Sequence, residues 1–208
     1  MSREKARMDP RVRRTREMLW NALIALLYEK DYNKIRVNEI AERATLNRTT
    51  FYLHFNSKED LLNQCFEEIM SELIHSIAMT PEEFNYEIDE PHPILVRLFE
   101  QIAIHASFYR TIMMEDKLQH LTRRMTKIME QFITSGVSQI QADGIGFVVS
   151  TDIAIRYFTM AYMGVIGWWL ENHMPYTPRH MAMQLTLMSS RGPLDRDPYL
   201  EKQSSPRP

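Results

Sequence analysis

Between positions 36 and 58 the chain spaces cations, hydroxyls and a phenol in a way that suits contact with phosphates and base edges. Arg48, Thr49, Thr50, Tyr52 and His54 follow Asn47 within one short stretch. An arginine there donates as a fork to guanine or to phosphate, and a threonine offers its methyl to thymine or its hydroxyl to a phosphate oxygen. Phe51 and Phe55 lie four residues apart and mark the inward side of a helix. The residues near that helix's N-terminus are then placed to enter a major groove. Tyr52 and His54 come later and are better placed for backbone phosphates. Arg36 precedes the stretch and is placed to reach phosphate. Lys58 follows it at the expected start of another helix, whose free N–H groups also favour phosphate.

These side chains need a frame, and the apolar spacing predicts one. A helix is expected over 10–30, with Leu19, Ala22, Leu23, Leu26 and Leu27 as its apolar stripe. Asp31-Tyr32-Asn33 breaks it. A short helix over 37–44 turns Ile40, Ala41 and Ala44 inward, and a third spans 48–55. Ala41 is small where the third helix crosses the second, and Leu46 packs beneath both. Asn47 caps the third helix; Ser57 caps a fourth that runs to 79, with Asp60 at its third position. This is helix-turn-helix spacing, although a plain helical hairpin with solvated charges has a similar pattern. Charge separates the two. Residues 1–58 hold 13 Lys and Arg against 7 Asp and Glu, whereas the rest of the chain holds 12 against 20. A basic head on an acidic body indicates that the head alone meets a polyanion. Residues 3–16 carry seven cations against two acids, an arm suited to phosphates or a minor groove.

The run Thr50-Phe51-Tyr52-Leu53-His54-Phe55-Asn56-Ser57-Lys58-Glu59-Asp60-Leu61-Leu62 resembles the signature of the TetR family of transcriptional regulators. The resemblance is strong over 11–65 and weaker beyond. It implies that Tyr52, His54 and Lys58 grip phosphates and that residues 47–50 make much of the base contact. Two positions depart from the family pattern. Thr45 stands where Gly is frequent, and a β-branched residue is poor there if φ is positive. Arg36 stands where Thr or Ser often caps the second helix, and arginine has no oxygen to cap with.

Beyond the head, helices are expected over 94–106, 108–114, 116–140, 150–173 and 178–190. An acidic connection over 80–93 and a polar tail over 191–208 complete the chain. The expected fold is all-α with about nine helices: a head over 1–57, a body over 58–190 and a disordered tail. The body is rich in Met and aromatic residues. For any one of them an ordinary core position is the plainer reading. Collectively, the resemblance implies a cavity for a small molecule. Its candidate walls are Phe99, His105, Phe108, Tyr109, Met113, His120, Met125, Met129, Tyr157 and Met160, with Arg156 a further polar anchor.

The segment 157–170 is apolar almost all round and must be covered on two sides. Gly164 and Gly167 each cost it about 1 kcal/mol relative to Ala, which close approach of another helix would explain. Gly164-Val165-Ile166-Gly167-Trp168-Trp169-Leu170-Glu171-Asn172 also resembles the C-terminal part of one TetR subgroup. The resemblance implies a dimer, with Ala161, Gly164, Gly167, Trp168, Met181 and Leu185 as interface candidates.

Several function classes fall away. There is no Gly-rich phosphate loop, H-E-x-x-H or G-x-S-x-G, so no enzyme is expected. Cys65 is alone, which excludes an internal disulfide and suits a reducing cytoplasm; it reads as a small apolar filler. Asp116 with His120 is too little for a metal, and no cofactor is expected. The uncharged stretch over 157–170 is too short for a membrane span. The expected partners are double-stranded operator DNA, a second copy of the chain and a small-molecule effector. The implied function is a repressor that releases a near-palindromic operator when the effector binds. The alternative is an architectural or partner-controlled DNA binder with no small ligand.

Overall fold

The structure is a computed structural model that describes residues 9–78, 90–142, 144 and 146–190. The first eight residues of the arm, most of the acidic connection and the tail 191–208 lie outside the described residues. Among the described residues there are nine α-helices and no strand. Helix α1 spans Pro10–Glu29, α2 Val37–Arg43 and α3 Arg48–His54. Then come α4 over Lys58–Ser76, α5 over Pro93–Ile104 and α6 over Ala106–Met114. Helices α7 over Gln119–Ala142, α8 over Thr151–Glu171 and α9 over Pro178–Ser190 complete the body.

Local chemistry sets most of these boundaries. Asp9 accepts from the Arg11 N–H ahead of a proline in the first turn of α1. The break after α1 is a 3-10 turn, Tyr32–Lys34, whose Tyr32 is buried. Asn47 Oδ1 accepts from the Thr50 N–H at 2.7 Å, and Ser57 Oγ from the Asp60 N–H at 3.1 Å. Asp60 reaches one residue further back than a capping-box acid and accepts from the Asn56 N–H at 2.9 Å. His105 interrupts what would otherwise be one helix, separating α5 from α6. The residues expected to open α7 form instead a 3-10 turn, Asp116–Leu118.

The head is α1 to α3. Its core joins Leu19, Leu23 and Leu26 of α1 to Ile40, Ala41, Phe51 and Phe55, all buried. The 1 % exposure of Ala41 fits its expected place under the helix crossing. The body packs α4 on α5, α5 on α9, and α8 on both α6 and α7. Helix α1 also packs on α4 and α6, and the buried residues of head and body form one continuous core.

Candidate nucleic-acid interface

The turn between α2 and α3 fixes the recognition helix. The Leu46 N–H donates to the Ala41 carbonyl at 2.8 Å and the Thr45 N–H to the Glu42 carbonyl at 2.9 Å. That double bond pattern is a Schellman turn, and it needs a left-handed residue after the helix. Thr45 takes that place with φ of 55°. A β-branched side chain is unfavourable there, so the departure from glycine seen in the sequence is a real local strain. At the start of α2, Arg36 does not cap. Glu39 Oε2 accepts the Arg36 N–H at 2.8 Å instead, and Lys30 pairs with the other Glu39 oxygen at 2.5 Å. The Arg36 side chain is left on the exposed surface.

With Phe51 and Phe55 inward, α3 presents Arg48, Thr49, Tyr52 and Leu53 to solvent, with Thr50 half-buried beside them. Asn47 is exposed at the cap. Leu53 was not among the sequence candidates, yet it is 77 % exposed. Its signal is spacing: it lies four residues after Thr49, on the same helical face. An exposed leucine on that face suits contact with a thymine methyl. Arg48 and Tyr52 are not independent. The guanidinium donates to the Tyr52 hydroxyl at 3.4 Å and lies 5.4 Å from the ring centre.

An open depression of about 370 Å³ sits between the N-termini of α2, α3 and α4. Arg36, Arg48, Tyr52 and Lys58 line it, so four sequence candidates converge; Asn38 and Asn56 join them, and Glu59 is the acid in the set. Lys58 stands differently from the sequence expectation. Its ammonium donates to the carbonyls of Tyr32 and Ile35, both at 2.9 Å, and lies 4.3 Å from the Tyr32 ring centre. It therefore ties the 3-10 turn to α4 at the wall of the depression. His54 is half-buried, and burial, followed by the nearby Arg16 charge, pushes its imidazole below the ordinary histidine range. Arg16 itself bonds Gln64 and lies 4.6 Å from the Phe55 ring centre, joining α1, the end of α3 and α4.

In the body, a narrow apolar cavity of about 10 Å³ has room for roughly one water. Tyr109, Met125 and Met129 wall it, with Leu98, Ile102 and Met163 among the others. The remaining pocket candidates lie elsewhere. Phe99 packs edge-on against Trp169, with ring centres 5.2 Å apart, and Phe108 packs against Phe66. His105 pairs with Glu72 at 3.3 Å. Met113 reaches toward Gly167. His120, Tyr157 and Met160 are exposed, and Arg156 pairs with Glu130 at 3.5 Å on the surface. These four are corrected from pocket to surface positions. The α7 and α8 periodicity puts them on the faces turned away from the core.

Helix α8 divides the dimer-interface candidates. Ile153, Tyr157, Met160, Gly164 and Trp168 recur at helical spacing and are all exposed, forming one outward stripe. Ala161 is half-buried at its edge. Among the described residues nothing lies within 4 Å of a Cβ placed on Gly164, whereas one placed on Gly167 would meet Met113 Cε at 3.1 Å. Gly167 therefore faces inward, to α6. Met181 and Leu185 are buried in the subunit, where α9 packs on α5. Gly167, Met181 and Leu185 thus leave the list of outward residues.

Comparison with known proteins places this geometry. The profile described as "Bacterial regulatory proteins, tetR family" matches residues 19–65, the whole turn-bearing part of the head. A second, "Transcriptional regulator C-terminal region", matches residues 89–191. The chain belongs to the TetR family. This TetR-family chain is 28 % identical over 187 residues to the HTH-type transcriptional regulator YxbF of Bacillus subtilis (strain 168), a match spanning 88 % of the chain and 46 % of YxbF. It is 34 % identical over 61 residues to the dhaKLM operon transcriptional activator DhaS of Lactococcus lactis, which covers 29 % of the chain and 33 % of DhaS. These matches thus span less than half the length of the two curated relatives. Among solved structures, the fatty acid degradation regulator FadR from Bacillus halodurans aligns with a TM-score of 0.69 at 22 % identity, over 89 % of the chain and 98 % of FadR. FadR from Bacillus subtilis, solved with stearoyl-CoA, aligns with a TM-score of 0.62 at 19 % identity, over 86 % and 100 %. At these identities the structural matches speak for the fold. No described helix is long and apolar enough to cross a membrane.

Proposed function

We propose that this TetR-family regulator binds a near-palindromic operator as a dimer and represses transcription until a small molecule in the body releases it. The observation that carries the DNA part is the convergence of Arg36, Arg48, Tyr52 and Lys58 on one depression, beside the exposed face of α3. The Arg36 guanidinium and the Tyr52 phenol there suit a phosphate, with Lys58 holding the wall they stand on, while Asn47, Arg48, Thr49 and Leu53 meet base edges. The outward stripe of α8 supports the dimer. It is an apolar helical face left exposed by the described residues, and Gly164 within it permits close approach of a second helix. Two copies joined there would offer two recognition helices to one duplex.

Operator and effector oppose each other if the effector binds the form whose heads are wrongly spaced, and linkage makes that opposition reciprocal. Helix α4 belongs to both parts: its N-terminus walls the DNA-facing depression and Leu73 near its other end walls the body cavity. The narrowness of that cavity favours a second reading, control by a protein partner with no small ligand.

The test is selection of duplexes from a random library by the purified full chain. Expected is enrichment of an inverted repeat whose half-site centres lie about one helical turn, roughly 34–36 Å, apart or a multiple of it. Recovery of no common sequence would overturn the proposal.

A further inference from the structure

Helix α3 carries carbon where it stands furthest from the core. At about 100° per residue, the direction opposite Phe51 and Phe55 falls on Leu53, with Thr49 beside it one turn earlier. Arg48 and Tyr52 lie on one flank of that line, toward the depression, and the half-buried Thr50 and His54 on the other. Leu53 is 77 % exposed, against 45 % for Tyr52, and belongs neither to the buried core nor to the apolar residues packed on it. Its polar neighbours are engaged within the head. The Arg48 guanidinium donates to the Tyr52 hydroxyl at 3.4 Å, and Asn47 Oδ1 accepts both the N–H and the hydroxyl of Thr50, at 2.7 and 3.0 Å.

Helix α3 has seven residues, so at about 1.5 Å per residue it is about 10 Å long. That is within the ~12 Å width of a major groove, so its last turn can reach the bases together with its first. What a leucine can recognise there is narrow. It has no donor or acceptor, and over the polar edges of guanine, adenine or cytosine it would cover atoms without pairing them. Of the four bases only thymine puts a methyl group into the major groove, at C5. Resting on the reading that the head binds a specific duplex, we infer that Leu53 is a specificity-determining residue, which reads the C5-methyl group of a thymine in each half-site of the operator by apolar contact. The contact takes carbon of both partners out of water, and no hydrogen bond takes part in it.

The test removes the methyl group and nothing else. In the duplex selected from the random library, each thymine of the half-site is replaced in turn by deoxyuridine, in both half-sites at once. Binding of the full chain and of its Leu53→Ala variant is read by fluorescence anisotropy at fixed salt. For the wild type, deoxyuridine at one position, or at two adjacent ones, should weaken binding about five- to twentyfold over the two half-sites, and elsewhere less than about twofold. Leu53→Ala should bind the thymine duplex about as weakly as the wild type binds that deoxyuridine form, and should lose almost nothing further on the replacement. Its melting temperature should be unchanged, because Leu53 supports no packing. A selected half-site without thymine would overturn the inference. So would wild-type binding indifferent to every deoxyuridine, or a penalty that persists in Leu53→Ala, which would belong to the shape of the duplex or to Thr49. Selection of no common sequence contradicts the regulator reading instead, whereas specific binding without methyl sensitivity contradicts this inference alone.

Discussion

Arg48 and Tyr52 occupy successive turns of α3 and touch each other, so each supports the other's position. Arg48→Ala should reduce binding to the selected operator by about 1–3 kcal/mol if the guanidinium reads guanine. Binding to a scrambled duplex should fall less. The double variant with Tyr52→Ala should lose less than the sum of the single losses, because neighbouring contacts are not additive. Fluorescence anisotropy on the two duplexes checks both, and equal losses on each would remove Arg48 from base readout. Thr45 offers a stability test. With φ of 55° its side chain opposes the turn, so Thr45→Gly should stabilise the protein by about 1 kcal/mol, seen as a higher denaturant midpoint at unchanged slope. His54 gives a pH sign. Its imidazole lies below the ordinary range in the folded chain, so the unfolded chain binds that proton more readily. Stability should therefore drop as pH falls through about 6.5, the unperturbed histidine value, and His54→Gln should flatten that slope. The caps at Asn47 and Ser57 were readable from residue type alone. The role of Lys58 was not, because its acceptors, the carbonyls of Tyr32 and Ile35, reach it only through the fold.

Helix α8 shows how far periodicity carries at the next scale. An almost uniformly apolar stretch does not reveal which side faces the subunit and which faces outward. The sequence pattern therefore groups Gly164 with Gly167, and the resemblance puts Tyr157 and Met160 with the pocket. Packing separates them, since Met113 fills the space beside Gly167 and no described residue occupies the space beside Gly164. The two glycines should respond differently to leucine. Gly164→Leu should leave a folded subunit but weaken the dimer, with overpacking of about 1–3 kcal/mol met twice across a two-fold interface. Gly167→Leu should lower the melting temperature of the subunit itself, because the added side chain displaces Met113. Sedimentation and thermal melting of both variants, at equal concentration, decide it. A fully dimeric Gly164→Leu would place the interface elsewhere.

At the scale of the molecule, the head was legible because its constraints are local: caps, a small residue at a crossing, and two inward phenylalanines. The body was legible as a set of helices, while its cavity depends on side chains from α4 to α8 meeting in space. The claim that unites the two is that paired heads read one inverted repeat. The most direct measurement is binding of the full chain to the selected duplex, to a single half-site and to a scrambled duplex at fixed salt, with stoichiometry from sedimentation. Expected are two chains per selected duplex and a preference of at least about a thousandfold over the scrambled one, largely lost on the half-site. Equal affinity for selected and scrambled duplexes, or one chain bound per selected duplex, would contradict it.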